Sequence, residues 1–361
     1  MSSAPLAEVR VLHLLPHQGV GGLQRAVIDL VRHERMDGAT DELVLTERPL
    51  DVDKDFMAPA TPVHFLMDPA EKLALRAQRL ADLAASRGAR SLHAYRTSDL
   101  LLAAAARRRS SGLRVVATLF DRPPALSFVE RRRLRRALQE ADAVFVPSPA
   151  LQAPWAALGR EPEVRLAAVD IQRFYPQEAR STWRATRLPV PDTLLVGTLM
   201  SATPDKGQDV LAEAALRRHA DGRPTALLMV GDGPRLPELR ERARNSDVLH
   251  VRRRVLDAPS FFARIDVFAL QSENELVPIS LLESLACGRP AVVADRGDVE
   301  QLVGSDVARF VPPGDVDAVI AALDDLEDAQ RRADMGFIAR KRAVERHALG
   351  RLRGELAATY A

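Results

Sequence analysis

The chain has 361 residues, 47% of them hydrophobic, enough for two ordinary domains with sizeable cores. An aromatic share of 4% argues against a base-stacking surface for single-stranded nucleic acid, and a net charge of +2 is only mildly basic, so no nucleic-acid partner is expected. The single cysteine, Cys287, excludes an internal disulfide and a cysteine-cluster zinc site, and reads as a packed small side chain.

The N-terminus lacks a basic-then-apolar leader pattern, and no apolar run approaches the roughly 18 residues that span a bilayer. A cytoplasmic protein is expected, with peripheral membrane contact left open. Strand and helix alternate throughout, the pattern of parallel sheets covered on both faces. Val9–Leu15 reads as a buried strand, followed by the glycine-rich loop Pro16-His17-Gln18-Gly19-Val20-Gly21-Gly22 and a helix from Leu23 to about His33. Glu42–Thr46, Val63–Leu66, Ser91–Ala94, Arg114–Leu119 and Ala143–Pro147 read as strands. Pro69–Arg87, Thr97–Arg108, Ala125–Glu140 and Pro149–Leu158 read as helices. Val169–Pro191, irregular and with three prolines, reads as a linker. Six more strands follow: Leu194–Thr198, Ala226–Val230, Val248–Val251, Val267–Leu270, Ala291–Ala294 and Ala308–Val311. A last long helix is expected over Ile338–Tyr360, returning to brace the first half. The division predicted is residues 1–172 with about 338–361, and 173–337: two doubly wound halves that bind ligands at the carboxyl ends of their strands.

The densest chemistry lies at Glu275-Leu276-Val277-Pro278-Ile279-Ser280-Leu281-Leu282-Glu283. Pro278 suits the first position of a helix. The N–H groups of Ile279 and Ser280 then point out of the helix start, with the positive end of the dipole behind them, as a diphosphate requires. Glu275 stands beside that anion site and Glu283 about two turns further on. A sugar nucleotide needs this combination, because carboxylates accept hydroxyl hydrogen bonds on either side of the phosphates.

The chain resembles family four of the GT-B glycosyltransferases, almost end to end. The likeness is carried by Gly21-Gly22-Leu23-Gln24-Arg25, by Val169-Asp170 with Phe174-Tyr175-Pro176, and by Asp205-Lys206-Gly207-Gln208-Asp209. It continues through Val230-Gly231-Asp232-Gly233-Pro234, Asp266 to Ser272, the Glu275/Glu283 pair and Val311-Pro312-Pro313-Gly314-Asp315. The resemblance implies two Rossmann-like domains facing a cleft. It implies transfer of a sugar, with retention, from a nucleoside-diphosphate donor to a hydroxyl acceptor: a lipid, a glycan or a small natural product. It implies that Glu275 contacts the donor sugar, that Glu283 takes the ribose hydroxyls, and that Gly21 and Gly22 line the site. Lys206, one of only four lysines, would neutralise the leaving diphosphate. No metal and no cofactor are expected.

Thr198 stands where the family carries a phosphate-binding arginine, with Arg252 or Arg173 as substitutes. Leu276 stands where many relatives have glycine. Phe120-Asp121 replaces a frequent histidine–aspartate pair on the acceptor side. His93 is an acceptor-side candidate, with a packed structural histidine as the equal alternative. Arg131-Arg132-Arg133-Leu134-Arg135-Arg136 is a solvated face by default and a patch for anionic lipid or an anionic acceptor otherwise. Asp51-Val52-Asp53 and Asp315-Val316-Asp317 look like metal-binding pairs, but Asp315 reads better as a helix cap. Thr198 and Phe120 support a second reading, a catalytically silent sugar-nucleotide-binding partner of another transferase; a third is a GT-B epimerase.

Overall fold

The central strands are short and nearly all apolar, as in VLHLL, TALLMV and AVVA, so each buries both faces and needs helices above and below, while the edge strands stay partly exposed. The computed structural model describes residues 11–16, 21–36, 41–47, 62–66, 71–177, 193–253, 257–273, 275–296 and 298–360. Met1–Ala167 with Leu349–Ala361 form one compact unit, and Ala168–Ala348 the other.

In the first unit the chain runs β1 (Val11–Leu15), α1 (Gly22–Met36), β2 (Glu42–Leu45), β3 (Val63–Phe65), α2 (Leu73–Arg87), β4 (Ser91–Ala94) and α3 (Thr97–Arg107). It continues through β5 (Arg114–Thr118), α4 (Phe128–Glu140), β6 (Ala143–Val146), α5 (Gln152–Ala156) and β7 (Glu163–Val164). The sheet is parallel throughout, in the order β3-β2-β1-β4-β5-β6-β7. The second unit runs β8 (Leu194–Leu199), α6 (Gln208–Ala220), β9 (Thr225–Val230), α7 (Leu236–Ala243), β10 (Leu249–Arg252), α8 (Ala258–Arg264) and β11 (Val267–Leu270). Then come α9 (Ile279–Ala286), β12 (Ala291–Ala294), α10 (Asp298–Val303), β13 (Ala308–Val311), α11 (Val316–Asp325) and α12 (Ala329–Arg346), before α13 (Leu349–Tyr360) rejoins the first unit. Its sheet is also parallel, in the order β10-β9-β8-β11-β12-β13. Both sheets reverse direction of growth beside their first strand, between β1 and β4 and between β8 and β11. Doubly wound sheets bind ligands at such switch points.

Two expectations are corrected and one strand is added. The helix expected over Ile338–Tyr360 is two, α12 and α13, because the chain leaves the helix at His347 and Ala348 to pair with Val169; the Val169 N–H donates to the His347 carbonyl at 2.8 Å. Helix α4 starts at Phe128 rather than Ala125. There Ser127 and Glu130 form a reciprocal capping box, a pattern already present in the sequence. Strand β7 adds a two-residue edge that was too short to read. Of the expected linker, 178–191 lies outside the described residues.

Polar groups inside the first unit are joined in a chain. His13 Nε2 lies 3.3 Å from Asp41 Oδ2, and its Nδ1 lies 2.6 Å from the Tyr95 hydroxyl. His93 Nδ1 lies 2.6 Å from the Tyr360 hydroxyl and its Nε2 2.8 Å from Thr118 Oγ1, so the last helix is tied to β4 and β5. Burial holds the His93 imidazole well below its ordinary 6.5. Nearby Asp99 is pushed up to about 7 by burial, against the pull of the Thr46 hydroxyl. These two groups act in opposite senses. Below about pH 6.5 the unfolded chain protonates His93 and the folded one does not, so stability falls; between 3.8 and about 7 the folded chain holds a proton on Asp99 that the unfolded one has lost, so stability rises as pH falls. Asp99→Asn removes only the second effect. Its melting temperature, followed by circular dichroism, should drop more steeply than that of the unaltered protein between pH 6.5 and about pH 5; parallel curves would contradict the assignment.

Candidate functional site

The second unit's switch point gathers the residues singled out in the sequence. After β8 the chain crosses to a 3-10 turn, Pro204–Lys206, and then to Gly207, which has φ +65° and opens α6. A β-carbon on Gly207 would stand 2.4 Å from the Gln271 carbonyl oxygen, at the end of β11. Only glycine permits both that backbone angle and that approach. The two loops are further joined by the Glu273 N–H, which donates to the Asp205 carbonyl at 2.8 Å.

This approach brings Lys206 to Glu275, 69 residues later. The Lys206 ammonium donates to Glu275 Oε2 at 3.1 Å, and the Ser272 hydroxyl donates to the same oxygen at 2.8 Å. Both members of the ion pair remain partly open to solvent, with side chains 17% and 23% exposed. Asp205 Oδ2 lies 3.7 Å from the same ammonium. Its carboxyl is held below its usual range by the Thr203 hydroxyl, which donates at 2.6 Å, and then by Lys206.

Beyond Glu275, Val277 is half-buried and Pro278 and Ile279 are buried. Pro278 is the N-cap of α9 in extended conformation, not its first residue. Bonding back to its carbonyl begins at Leu281, 3.1 Å, and Leu282, 3.3 Å. The Ile279 and Ser280 amides therefore lie outside the helix's own ladder, at its positive end. Glu283 lies on the same helix, 4% exposed among Leu281, Leu282, Leu285 and Ala286. Its charge and burial together push the neighbouring Cys287 thiol up to about 12, so that cysteine is an inert packed side chain, burial being the larger cause.

Thr198 is fully buried near the end of β8 and its hydroxyl has no hydrogen-bond partner among the described residues. It lines a recess at the ends of β8, β9 and β10 together with Gln208, Gly231, Val251 and Arg252. Arg252 thus lines the same recess as Thr198, whereas Arg173 lies over the Phe174 ring at 5.1 Å. The long loop after β8 is seated on the glycine motif after β9. Met200 and Ala202 N–H groups donate to the Val230 and Asp232 carbonyls at 3.0 and 2.9 Å, and a β-carbon on Gly231 would lie 1.8 Å from the Met200 carbonyl oxygen.

The other singled-out residues, Asp315 apart, belong to the first unit. Gly21 precedes α1 and Gly22 is its first residue, with the Gly21 carbonyl accepting from the Arg25 N–H at 3.0 Å; 17–20 of that loop lie outside the described residues. His93 has no exposed surface, and its ring is held by Tyr360 and Thr118, the structural alternative. Asp121 is exposed, its carbonyl accepting from Trp155 Nε1 at 2.8 Å. Asp315 caps α11, accepting from the Ala318 N–H at 2.9 Å, and Asp51 and Asp53 lie outside the described residues. Sequence reasoning missed Ser272. Its signal was a hydroxyl three residues before the first glutamate of the pair.

Residues 190–328 match the family described as Glycosyl transferases group 1. The chain is 33% identical over 264 residues to a GDP-mannose-dependent alpha-(1-6)-phosphatidylinositol monomannoside mannosyltransferase of Mycolicibacterium smegmatis, covering 66% of this chain and 67% of that protein. Among solved structures it is similar to Alr3699/HepE of Anabaena in complex with UDP and glucose, with a TM-score of 0.79, 20% identity, and 97% and 98% of the two chains covered. It is also similar to sucrose-phosphate synthase of Thermosynechococcus elongatus, with a TM-score of 0.78, 17% identity, and 98% of each chain covered. These structural likenesses show a shared fold, GT-B, made of two Rossmann-like domains.

The approach at Gly207 can be measured. Gly222 has φ +79° and open space around it, so Gly222→Ala should cost only the backbone penalty, about 1 kcal/mol. Gly207→Ala adds the collision with Gln271 and should cost at least about 2 kcal/mol more in urea unfolding. Equal costs would mean that the two loops are not held together there.

Proposed function

Because the chain belongs to the glycosyl transferases group 1 family, we propose that it transfers a sugar, with retention, from a nucleoside-diphosphate donor to a hydroxyl acceptor, as a member of family four and without a metal. The observation that carries this reading is the meeting of Lys206 and Glu275 at 3.1 Å beside the N-terminus of α9. A departing nucleoside diphosphate gains negative charge in the transition state. A fixed ammonium and a helix start aimed at it stabilise that state more than the ground state. Glu275 then takes sugar hydroxyls and the buried Glu283 the ribose hydroxyls, as acceptor-only groups. Arg252 supplies the cation absent at Thr198. A front-face path fits these residues, with the leaving phosphate helping to take the acceptor's proton. The acceptor is a lipid, a glycan or a small natural product; the phosphatidylinositol mannoside named for the Mycolicibacterium relative favours a lipid.

The test is a panel of UDP-, GDP-, ADP- and dTDP-sugars. The accepted donor should raise the melting temperature and release nucleoside diphosphate slowly without an acceptor. Lys206→Ala should lower turnover by about a hundredfold or more. Near-normal transfer by that variant would refute the assignment. Binding without release would mark a silent partner, and conversion of the sugar with no acceptor an epimerase.

The same reading places the enzyme at the cytoplasmic face of an anionic membrane. No described helix is long and apolar enough to cross one. Helix α4 begins with Phe128, 83% exposed, and Val129, 57% exposed, and continues with exposed Arg131, Arg132, Arg133, Arg135 and Arg136. An apolar tip beside arginines suits a headgroup layer, each cation near the surface adding about 1 kcal/mol. Phosphatidylglycerol vesicles should float the protein at low salt. An Arg131→Glu/Arg132→Glu/Arg133→Glu variant should stay unbound while retaining donor hydrolysis; flotation of that variant would rule the patch out.

A further inference from the structure

The ion pair at the site has a second meaning, which rests on the glycosyltransferase reading. The ammonium that a diphosphate needs is already held by Glu275 Oε2 at 3.1 Å. Glu275 and the diphosphate are thus alternative partners of one cation, and the pair is open enough to solvent for either to reach it. Asp205 Oδ2, 3.7 Å away, does not resolve the conflict, since it is another negative charge beside the ammonium. Ser272 does. Its hydroxyl donates to the same Glu275 oxygen at 2.8 Å, and its side chain is almost wholly buried. When the ammonium turns to phosphate, the carboxylate keeps one fixed donor and stays oriented.

We infer that Glu275 is an internal stand-in for the diphosphate on Lys206, handed over to the donor's sugar when the phosphates take the ammonium, and that Ser272 is the positioning residue for this exchange. The exchange couples the two ends of the donor. Phosphate binding is opposed by the pair, and the opposition is recovered only when a sugar is present to occupy the released carboxylate. A bare nucleoside diphosphate should therefore bind less tightly than the site's charges allow, which favours product release.

The test is calorimetric binding of the nucleoside diphosphate of the accepted donor in a double-mutant cycle. Glu275→Gln keeps the shape and removes the competing charge. It should tighten nucleoside diphosphate binding by about tenfold, equivalent to about 1.4 kcal/mol. In a Lys206→Met background the same change should leave affinity nearly unaltered, because the effect acts through the ammonium. Equal tightening in both backgrounds would show simple repulsion between Glu275 and phosphate and overturn the inference. So would no tightening in either. Ser272→Ala should leave nucleoside diphosphate affinity within about twofold and lower kcat with the sugar nucleotide, and Ser272→Thr should restore it. Equal loss of nucleotide and sugar-nucleotide binding in Ser272→Ala would reduce Ser272 to a packing role. If the unaltered protein binds none of the four diphosphates, the glycosyltransferase reading falls first, and this inference with it. If it binds one and the cycle fails, only this inference falls.

Discussion

Everything at the site depends on how closely the turn after β8 approaches the end of β11. Gly207 lies against the Gln271 carbonyl with no room for a β-carbon, and the Glu273 N–H closes the contact on the Asp205 carbonyl. Strands β8 and β11 are hydrogen-bonded neighbours in the sheet, yet they are separated by α6, β9, α7, β10 and α8 in the chain. The doubly wound topology therefore brings distant sequence together at one strand edge. The glycine converts that rough nearness into an ion pair at hydrogen-bonding distance. Without it, Lys206 and Glu275 would be two loop charges, each solvated and worth little to the other.

A second constraint comes from α9. It is only eight residues long, so its two ends serve one small region. Its start presents amides and the positive end of its dipole beside Glu275. Its middle buries Glu283 among leucines, where an unsatisfied charge would be costly. Its far end is tied down by Arg340 of α12, whose guanidinium donates to the carbonyls of Ala286, Phe174 and Ile171 at 2.9, 2.8 and 3.2 Å. The guanidinium thus anchors the C-terminus of α9 to the segment around Phe174, while the Ile279 and Ser280 amides at its N-terminus stay outside the helix's own ladder.

The parallel architecture was legible because apolar runs separated by helical lengths admit few other solutions. Most strand boundaries agree within a residue or two, as at Leu194–Leu199 and Ala308–Val311. The pair Glu275 and Glu283 was legible from spacing and from the proline before the helix. The Lys206–Glu275 contact was not, since nothing in a single sequence states which loops lie side by side. The glycine motif at Val230-Gly231-Asp232 was visible as a motif but its reason was not: it is the passage of the Met200 carbonyl over Gly231. The break between α12 and α13 escaped because the apolar spacing continues across His347, and only pairing with Val169 interrupts it. His93 was ambiguous for a similar reason. Its partners, Tyr360 and Thr118, come from the far end of the chain and from β5.

The contrast between His93, Arg218 and Lys206 separates polar groups committed to the fold from one that remains open to solvent. His93 is sealed from water, with both ring nitrogens close to fixed hydroxyls, so any other chemistry there would require the fold to open. Arg218 is a fully buried cation, but Asp324, Glu327 and Thr225 receive it at 2.8, 2.7 and 2.7 Å, binding α6 to α11. Its strength lies in having nothing left to offer. Lys206 is held by Glu275 at the end of a flexible stem and stays in reach of solvent. A charge that is organised but exchangeable, at a switch point and beside a helix start, is what phosphate chemistry requires.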